Sequence, residues 1–382
     1  MKQGWEIKKL GDVGTFQRGG GFIKSDFVDN GYPCIHYGQI HTMFDIKTYK
    51  HITCISNDLV TSKSKIAQKG DVIIAITSED VQGSCKCTAW MGNYDVVVGA
   101  HAAIYKHTLN PSFVAYYLRS QYFNIEKAKY THGFKVVEIK PSDIAKIDIR
   151  FPSLAEQERI VEILDREFER IDALKANAEQ NLQHAKDIFQ AALKQELQPK
   201  EGWETKTISE ISENLDYKRV PVTKKDRKEG VYPYYGASGI VDYVDGYLFD
   251  EDLLLVSEDG ANLLARSTPI AFSVSGKIWV NNHAHILRFA NIELQKFVEY
   301  FFANYDISKY VTGAAQPKFN QKALNNIVVS YPTDIVEQRN VVSCLDKLEE
   351  HCTALEENYK KTIALCDDMK QALLRKAFNG EL

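Results

Sequence analysis

What this sequence lacks narrows its chemistry first. It has no Gly-rich P-loop ending in Lys-Ser/Thr, no GxGxxG, no Gly-x-Ser-x-Gly and no HExxH. The common nucleotide-binding, acyl-transfer and zinc-hydrolase frames are therefore missing. It also has no Asn/Asp-Pro-Pro-aromatic run, with which adenine aminomethyltransferases hold their target amino group. Long apolar runs are absent: Val72 to Ile76 and Leu253 to Val256 are strand-sized and too short to span a bilayer. The opening Met1-Lys2-Gln3-Gly4-Trp5 carries no apolar signal core. The 7 cysteines follow no disulfide framework, and Cys352 and Cys366 fall on a helix seam, which fits a reducing cytoplasm. Charge of neither sign dominates, the net being −4. A nucleic-acid partner would need the Lys and Arg gathered on one face.

What is present is a repeat. Apolar residues at Leu345, Leu348, Cys352, Leu355, Tyr359, Cys366, Met369 and Leu373 step by three and four, with Thr362 the polar exception. That is the seam of a long coiled-coil helix. Leu164, Ile171, Leu174, Ala178, Ala185, Ile188 and Ala192 repeat the seam in one register, Leu164-Asp165 matching Leu345-Asp346 and Gln190-Ala191 matching Gln371-Ala372. Each helix follows a stretch that reads as short strands, turns and short helices, one opening at Gly4-Trp5-Glu6 and the other at Gly202-Trp203-Glu204. Strands are expected at Asp71–Thr77, Tyr94–Gly99, Leu253–Ser257 and Ile270–Val274, and helices at Pro111–Tyr122 and Ile292–Ala303. Tyr32-Pro33 resembles Tyr232-Pro233, Ser78-Glu79-Asp80 resembles Ser257-Glu258-Asp259, His101-Ala102 resembles His283-Ala284, and Phe151-Pro152…Glu156-Gln157 resembles Tyr331-Pro332…Glu337-Gln338. Shared order points to duplication of one unit. Small residues in the first seam against bulkier ones in the second suit a close antiparallel pair. The expectation is a pseudo-twofold dumbbell; the alternative is that each helix packs on its own domain.

Catalytic and metal readings of the remaining clusters are weak. Glu79-Asp80 and Glu258-Asp259 fit a strand-end turn better than a general acid. Cys85-x-Cys87 with His101 downstream could be a metal site, but it lacks zinc-site spacing and the second unit has no matching cysteines, so structural thiols are the better reading. His283 and His285 alternate along an expected strand and would share a face that a metal could use, though core or binding-surface histidines are the better reading. The basic stretch Lys218 to Lys228 is more suggestive. Lys218, Arg219, Lys224 and Lys225 there, and Lys63, Lys65 and Lys69 in the first unit, could neutralise phosphates; a solvated surface is the plain alternative. Asn281, Asn282, Gln316 and Lys318 are side chains of the kind that read base edges or grip phosphate.

These residues together resemble the DNA-specificity (S) subunit of type I restriction–modification systems. The resemblance rests on the two Gly-Trp-Glu openings, the two strand-to-helix boundaries, the long helices and the closing Ala377-Phe378-Asn379-Gly380-Glu381-Leu382. Tyr234-Tyr235-Gly236-Ala237-Ser238-Gly239, Glu258-Asp259-Gly260-Ala261-Asn262, Trp279 to His285 and Ala315-Gln316-Pro317-Lys318 look like a target-recognition-domain pattern. The first unit departs from it, with His132-Gly133-Phe134-Lys135 in the last place, so Lys135 joins the candidate contacts.

The resemblance implies an α+β chain of two mixed α/β target-recognition domains (1–153 and 199–333) separated by two long helices (154–198 and 334–382) forming an antiparallel coiled coil. It implies a non-catalytic subunit, without cofactor or metal of its own, that binds double-stranded DNA at a bipartite site. It further implies two methyltransferase subunits bringing S-adenosylmethionine and adenine N6 chemistry, restriction subunits bringing ATP and magnesium, and no membrane. Seam residues Leu164, Ile171, Leu174, Ile188, Leu345, Leu348, Leu355, Tyr359, Met369 and Leu373 would form the coiled coil or partner interface. The rival readings are a coiled-coil scaffold without a DNA role, an enzyme with its own site, and a recognition subunit of a modification-only system.

Overall fold

The computed structural model of the chain describes residues 4–133, 135–313 and 315–382. The chain divides into two compact units, one running to Ala178 and completed by Lys361–Leu382, the other spanning Glu179–Lys360. No described helix is long and apolar enough to cross a membrane.

The first unit is built on the strand Val72–Ala75, buried on both faces. Successive side chains of a strand point to opposite sides. Accordingly Val72 and Ile74 join one cluster with Phe113, Tyr117 and the helix residues Leu164 and Phe168, while Ile73 and Ala75 join another with Ile35, Trp90 and Val98. The sheet runs in the order Gly14–Arg18, Ala102–His107, Val72–Ala75, Cys87–Trp90, Lys47–Thr48. A second sheet contains Tyr32–Ile35 paired in parallel with Val96–Val98.

The second unit repeats this plan. Leu253–Ser257 is wholly buried, with Leu254 and Val256 in one cluster and Leu253 and Leu255 in another. It lies between Ala284–Phe289 and Ala271–Val274, with Ser212–Asn214 at the edge, and the second sheet pairs Glu229–Gly236 in parallel with Lys277–Val280.

Strand register fixes which residues correspond. Ala102 pairs with Ala75 as Ala284 pairs with Ser257. The Ile76 and Glu258 amides donate to the carbonyls of His101 and His283, and the Ile139 and Phe319 amides donate to the carbonyls of Ile76 and Glu258. So His101-Ala102 does match His283-Ala284. The expected match of Ser78-Glu79-Asp80 to Ser257-Glu258-Asp259 is three residues out of step: Ala75-Ile76-Thr77 hold those places. Similar letters after similar strands mislead where the hydrogen-bond ladder decides. The expected helix Pro111–Tyr122 is two, Pro111–Tyr117 and Gln121–Ala128, because Ser120 caps the second by accepting from the Phe123 amide.

Both long helices are continuous, Leu154–Glu196 and Ile335–Asn379. Each starts from a joint that explains the Pro…Gln motif. Gln157 is buried; its Nε2 donates to the Pro152 carbonyl at 2.8 Å and its Oε1 accepts from the Asn110 amide at 2.9 Å. Gln338 Nε2 donates to the Pro332 carbonyl at 2.7 Å. Within the first unit the helices pair antiparallel, Lys175 bridging Asp367 at 2.8 Å and Lys370 bridging Asp172 at 2.5 Å.

The seam steps differently from the expectation. Leu164, Ile171 and Leu345 are buried, and Leu348, Tyr359 and Leu373 half-buried. Leu174, Ile188, Leu355 and Met369 are exposed, and the next residue in each case, Lys175, Phe189, Glu356 or Lys370, is the more shielded. One residue is a turn of about 100° about the helix; at Leu174, Leu355 and Met369 choosing the apolar member of the neighbouring pair placed the seam on the wrong one, and at Ile188 the wrong one of two apolar residues was chosen. In the first unit the lysine stems of Lys175 and Lys370 fill it instead, their ammonium groups reaching carboxylates on the facing helix; that of Lys370 lies 5.0 Å from the Phe168 ring centroid.

Candidate nucleic-acid interface

In each unit the loops that leave the buried strand and its neighbours gather at one end of the sheets. In the second unit that rim is held by a buried ion network. Asp216 follows the strand Ser212–Asn214. Its carboxylate accepts from His285 Nδ1 at 2.6 Å and from the Ile286 amide at 2.9 Å. His285 Nε2 lies 2.7 Å from the Phe319 carbonyl. Arg219 Nη1 donates to Glu258 at 2.6 Å and to the Ala284 carbonyl at 3.0 Å, and its Nε donates to the Asp216 carbonyl at 3.1 Å. Burial pushes the Asp216 carboxyl up, but the bond to and charge of His285, the Ile286 amide and Arg219 outweigh it and leave it below the usual carboxylate range.

Asp216, Glu258 and His285 could in principle hold a metal, their ligand atoms lying within 4.8 Å of one another. The donor set does not fit one. Both His285 nitrogens already face protein oxygens, and a guanidinium sits where the cation would. His283 does not share a face with His285, because the strand begins only at Ala284; His283 stands in the preceding turn and pairs with Asp259 at 2.8 Å.

This network sorts the expected contact residues. Asn282, Gln316 and Lys318 are exposed on or beside the rim, and Lys218 is exposed in the turn before Arg219, its charge acting on Glu251 at the other end of the strand Leu253–Ser257. Asn281 is not available: it is 6% exposed, and its Oδ1 closes a turn by accepting from the His283 amide at 2.8 Å. Arg219 is likewise spent on the network, so both are positioning residues and not contact residues. Lys224 and Lys225 are exposed but stand off the rim, on a loop anchored along the second sheet. There Trp279 Nε1 donates to the Val220 carbonyl at 2.7 Å, and Arg227 pairs with Asp242 at 3.0 Å while lying 4.4 Å from the Tyr234 ring centroid.

In the first unit Lys63 is exposed and Lys65 half-buried. The Lys65 carbonyl accepts from Val98 and the Val98 carbonyl accepts from Gly20, which puts that loop against the rim. Lys135 is exposed in the turn bridged by His132 and Glu138; Phe134 of that motif lies outside the described residues. The turn and its counterpart, bridged by Thr312 and Lys318, both depend on a left-handed glycine, Gly133 at φ +120° and Gly313 at φ +85°. A Cβ there would meet the Val136 carbonyl oxygen at 1.9 Å or the Gln316 carbonyl oxygen at 2.5 Å, so only glycine serves.

Arg18, His36 and His41 escaped the sequence reading, and His101 entered it only as a repeat match and a metal candidate beside Cys85 and Cys87. Arg18 leads into Gly19-Gly20-Gly21, where a Cβ at Gly20 or Gly21 would meet nothing within 4 Å. His41 Nε2 is 3.0 Å from the Thr77 carbonyl and His101 Nδ1 is 3.1 Å from Thr77 Oγ1, with the Tyr37 ring 5.1 Å from that of His101. Burial, then the charges of His101 and Lys24, lower the His36 pKa from its ordinary value. The run of three glycines after a strand was the available signal.

Equivalent positions of the two rims carry opposite charge. Arg18 faces Ala103 across the ladder, and the same register in the second unit brings Asp216 opposite His285. Glu138 and Lys318 occupy matching bridges. Arg18 pairs with Glu138 at 2.9 Å, so the first rim is clamped by a surface ion pair where the second uses its buried network.

Comparison with known proteins adds the family. The family model for the type I restriction modification DNA specificity domain matches residues 2–184 and 200–365. The chain is 23% identical over 425 residues to the EcoKI specificity subunit of Escherichia coli K12, covering 100% of this chain and 90% of that protein. A shorter match, 32% identical over 145 residues, covers 38% of this chain and 37% of a type I restriction enzyme specificity subunit of Haemophilus influenzae. In fold it is similar to a chain solved in work on assembly and conformational transition of the type I R-M system, with TM-score 0.76 and 17% identity over 100% of this chain and 99% of that one. It is also similar to the HsdS subunit of Thermoanaerobacter tengcongensis, with TM-score 0.61 and 17% identity over 100% and 98% of the two chains.

Proposed function

This chain belongs to the type I restriction–modification DNA specificity family, and from that premise we propose that it reads a bipartite double-stranded DNA target, one half-site per rim. It is a non-catalytic specificity subunit; the chemistry belongs to its partners. The observation that carries the reading is the pair of rims, built on one strand register yet opposite in charge at Arg18 and Glu138 against Asp216 and Lys318. A common scaffold with different letters is what two different half-sites call for.

Lys218, Lys318, Lys63 and Lys65 would grip phosphates, fixing register without sequence information. Asn282 and Gln316 would reach base edges, where an amide side chain pairs bidentately with adenine. The long helices, of 43 and 45 residues, extend about 65 Å each at 1.5 Å per residue. They exceed the roughly 34 Å between half-sites one DNA turn apart, leaving length for partner contacts. Two methyltransferase subunits would dock there and methylate adenine N6 using S-adenosylmethionine. Restriction subunits, with ATP and magnesium, would join for cleavage. The domain limits proposed are 1–153 and 199–333 for recognition, 154–198 and 334–382 for the helices.

Methylome sequencing of a host expressing this chain with its methyltransferase, against the methyltransferase alone, tests the reading. A split adenine-methylated motif that appears only with this chain is the expected result. The absence of any new motif, although the two proteins co-purify, would refute it.

A further inference from the structure

The structure assigns His285 to a role beyond the contacts above: as a doubly protonated imidazolium it positions the base-reading loop of the second rim, and only of that rim. This rests on the DNA-recognition reading.

The first argument is donor count. A neutral imidazole has one N–H and one acceptor nitrogen. Here Nδ1 faces a carboxylate at 2.6 Å and Nε2 faces a carbonyl at 2.7 Å. Both partners are acceptors only, so both nitrogens must donate.

The second argument is charge. The groups facing the ring are Asp216 and Arg219 from the turn after Ser212–Asn214, Glu258 from the end of Leu253–Ser257 with an oxygen 3.7 Å from Nδ1, and the Phe319 backbone from the loop. His283 and Asp259 form their own pair beside it. Two carboxylates, one guanidinium and one imidazolium sum to zero. A neutral ring, itself 1% exposed, would leave one uncompensated negative charge in a low-dielectric site.

The third argument is what the ring holds. The Nε2–H donated to the Phe319 carbonyl joins two backbone bonds, Phe319 amide to Glu258 carbonyl at 2.7 Å and Gly260 amide to Pro317 carbonyl at 3.0 Å. Between these anchors lies Lys318, with Gln316 just ahead. The Phe319 ring meets that of His285 edge-on, centroids 6.3 Å apart. Loop placement thus depends on the second proton of the imidazole. The first rim has Ala103 at the equivalent place and the Arg18–Glu138 pair instead, so it lacks this dependence.

The test has two arms. Selective ¹⁵N-histidine labelling of the full chain, with its 10 histidines, should show one imidazole with protons on both ring nitrogens at neutral pH, and Asp216→Asn should abolish that signature. A wild-type spectrum in which every buried ring carries a single proton overturns the proposal. In cells supplying the methyltransferase, His285→Gln and Asp216→Asn should each reduce discrimination at one half-site by about ten-fold, leaving the spacer and the other half-site unchanged. Arg18→Ala should relax only the other half. Hydrogen exchange reads whether the variants keep the core strand Leu253–Ser257 protected while residues 315–319 open. Variants that relax both halves alike, or neither, overturn the role of His285. A wild-type chain that directs no motif refutes the DNA reading itself, a distinct outcome.

Discussion

His107 offers a perturbation whose sign is unusual: a substitution at the half-buried end of a core strand of the first unit that stabilises it. The ring closes the strand Ala102–His107, and both nitrogens are buried with no hydrogen-bond partner among the described residues. Burial lowers its pKa from the ordinary 6.5 to about 4, against the opposing charge of Asp71 and a weaker contact with the Leu109 backbone that falls short of a well-formed hydrogen bond. The group is therefore neutral when folded and binds a proton more readily when unfolded. Its contribution is whole above pH 6.5 and is lost as pH falls toward 4, where the unfolded chain holds the extra proton. At 1.36 kcal/mol per pKa unit the full loss is about 3 kcal/mol, of which about 2 kcal/mol falls between pH 7 and 5. The second unit shows the remedy. Phe289 occupies the same register position, paired with Ser212 as His107 pairs with Gly14. His107→Phe should remove two buried polar atoms, neither in a well-formed hydrogen bond, and gain about 1–3 kcal/mol at pH 7, more at pH 5. The assay is urea-dependent hydrogen exchange of the strand Ala102–His107 at both pH values, with Ala284–Phe289 in the same molecule as reference. If His107→Phe keeps the wild-type pH slope, or destabilises the first unit, the assignment of an unpaired neutral imidazole is wrong.

Further outcomes concern the helix joints, the rim and the helices. Gln157→Leu should cost about 2–3 kcal/mol, since it strands the Asn110 amide and the Pro152 carbonyl. Gln338→Leu should cost clearly less, because the Gln338 Oε1 is itself buried without a hydrogen-bond partner among the described residues; equilibrium denaturation compares them. Asn282→Ala should relax one position of one half-site at a cost of about 1–3 kcal/mol, whereas Lys318→Ala should weaken all sequences alike and lower the salt slope of DNA binding. A uniform, sequence-blind loss from both would remove Asn282 from base reading. Deleting one or two turns from both long helices in register should shorten the recognised spacer, as read by methylome sequencing. An unchanged spacer would refute the helices as its determinant.

The long helices, the duplication and the buried strands were legible in the sequence because each is a periodic pattern. Leu253–Ser257 was found to the residue, since a wholly apolar run between turn signals has few other readings. The seam was legible at Leu164, Ile171, Ala178, Ala185, Leu345, Cys352 and Cys366, which are buried as expected, and one position out at Leu174, Ile188, Leu355 and Met369. Leu174 and Lys175 are adjacent, and hydrophobicity alone does not reveal that Asp367 waits opposite the lysine. The rim was harder still. Asn281 and Asn282 are neighbours of one type, yet a single hydrogen bond to the His283 amide turns one inward and leaves the other in solvent. Arg219 looked like one more cation of a basic loop; only tertiary proximity to Glu258 marks it as an anchor. Composition reports which charges exist, and the fold decides which are already satisfied.

The glycine-dependent turns of the two rims have a consequence for how such a protein changes over time. Gly133 and Gly313 fix the path of the backbone, and the bridges behind them fix its ends. Lys135 and Val136 in one turn, and Ala315 and Gln316 in the other, project from a stem whose course does not depend on their identity. Substitution at these tips can therefore rewrite what is read while leaving the cost of folding almost untouched. Stems that invariant bear heritable variation in meaning, much as a printer's forme holds any type set into it.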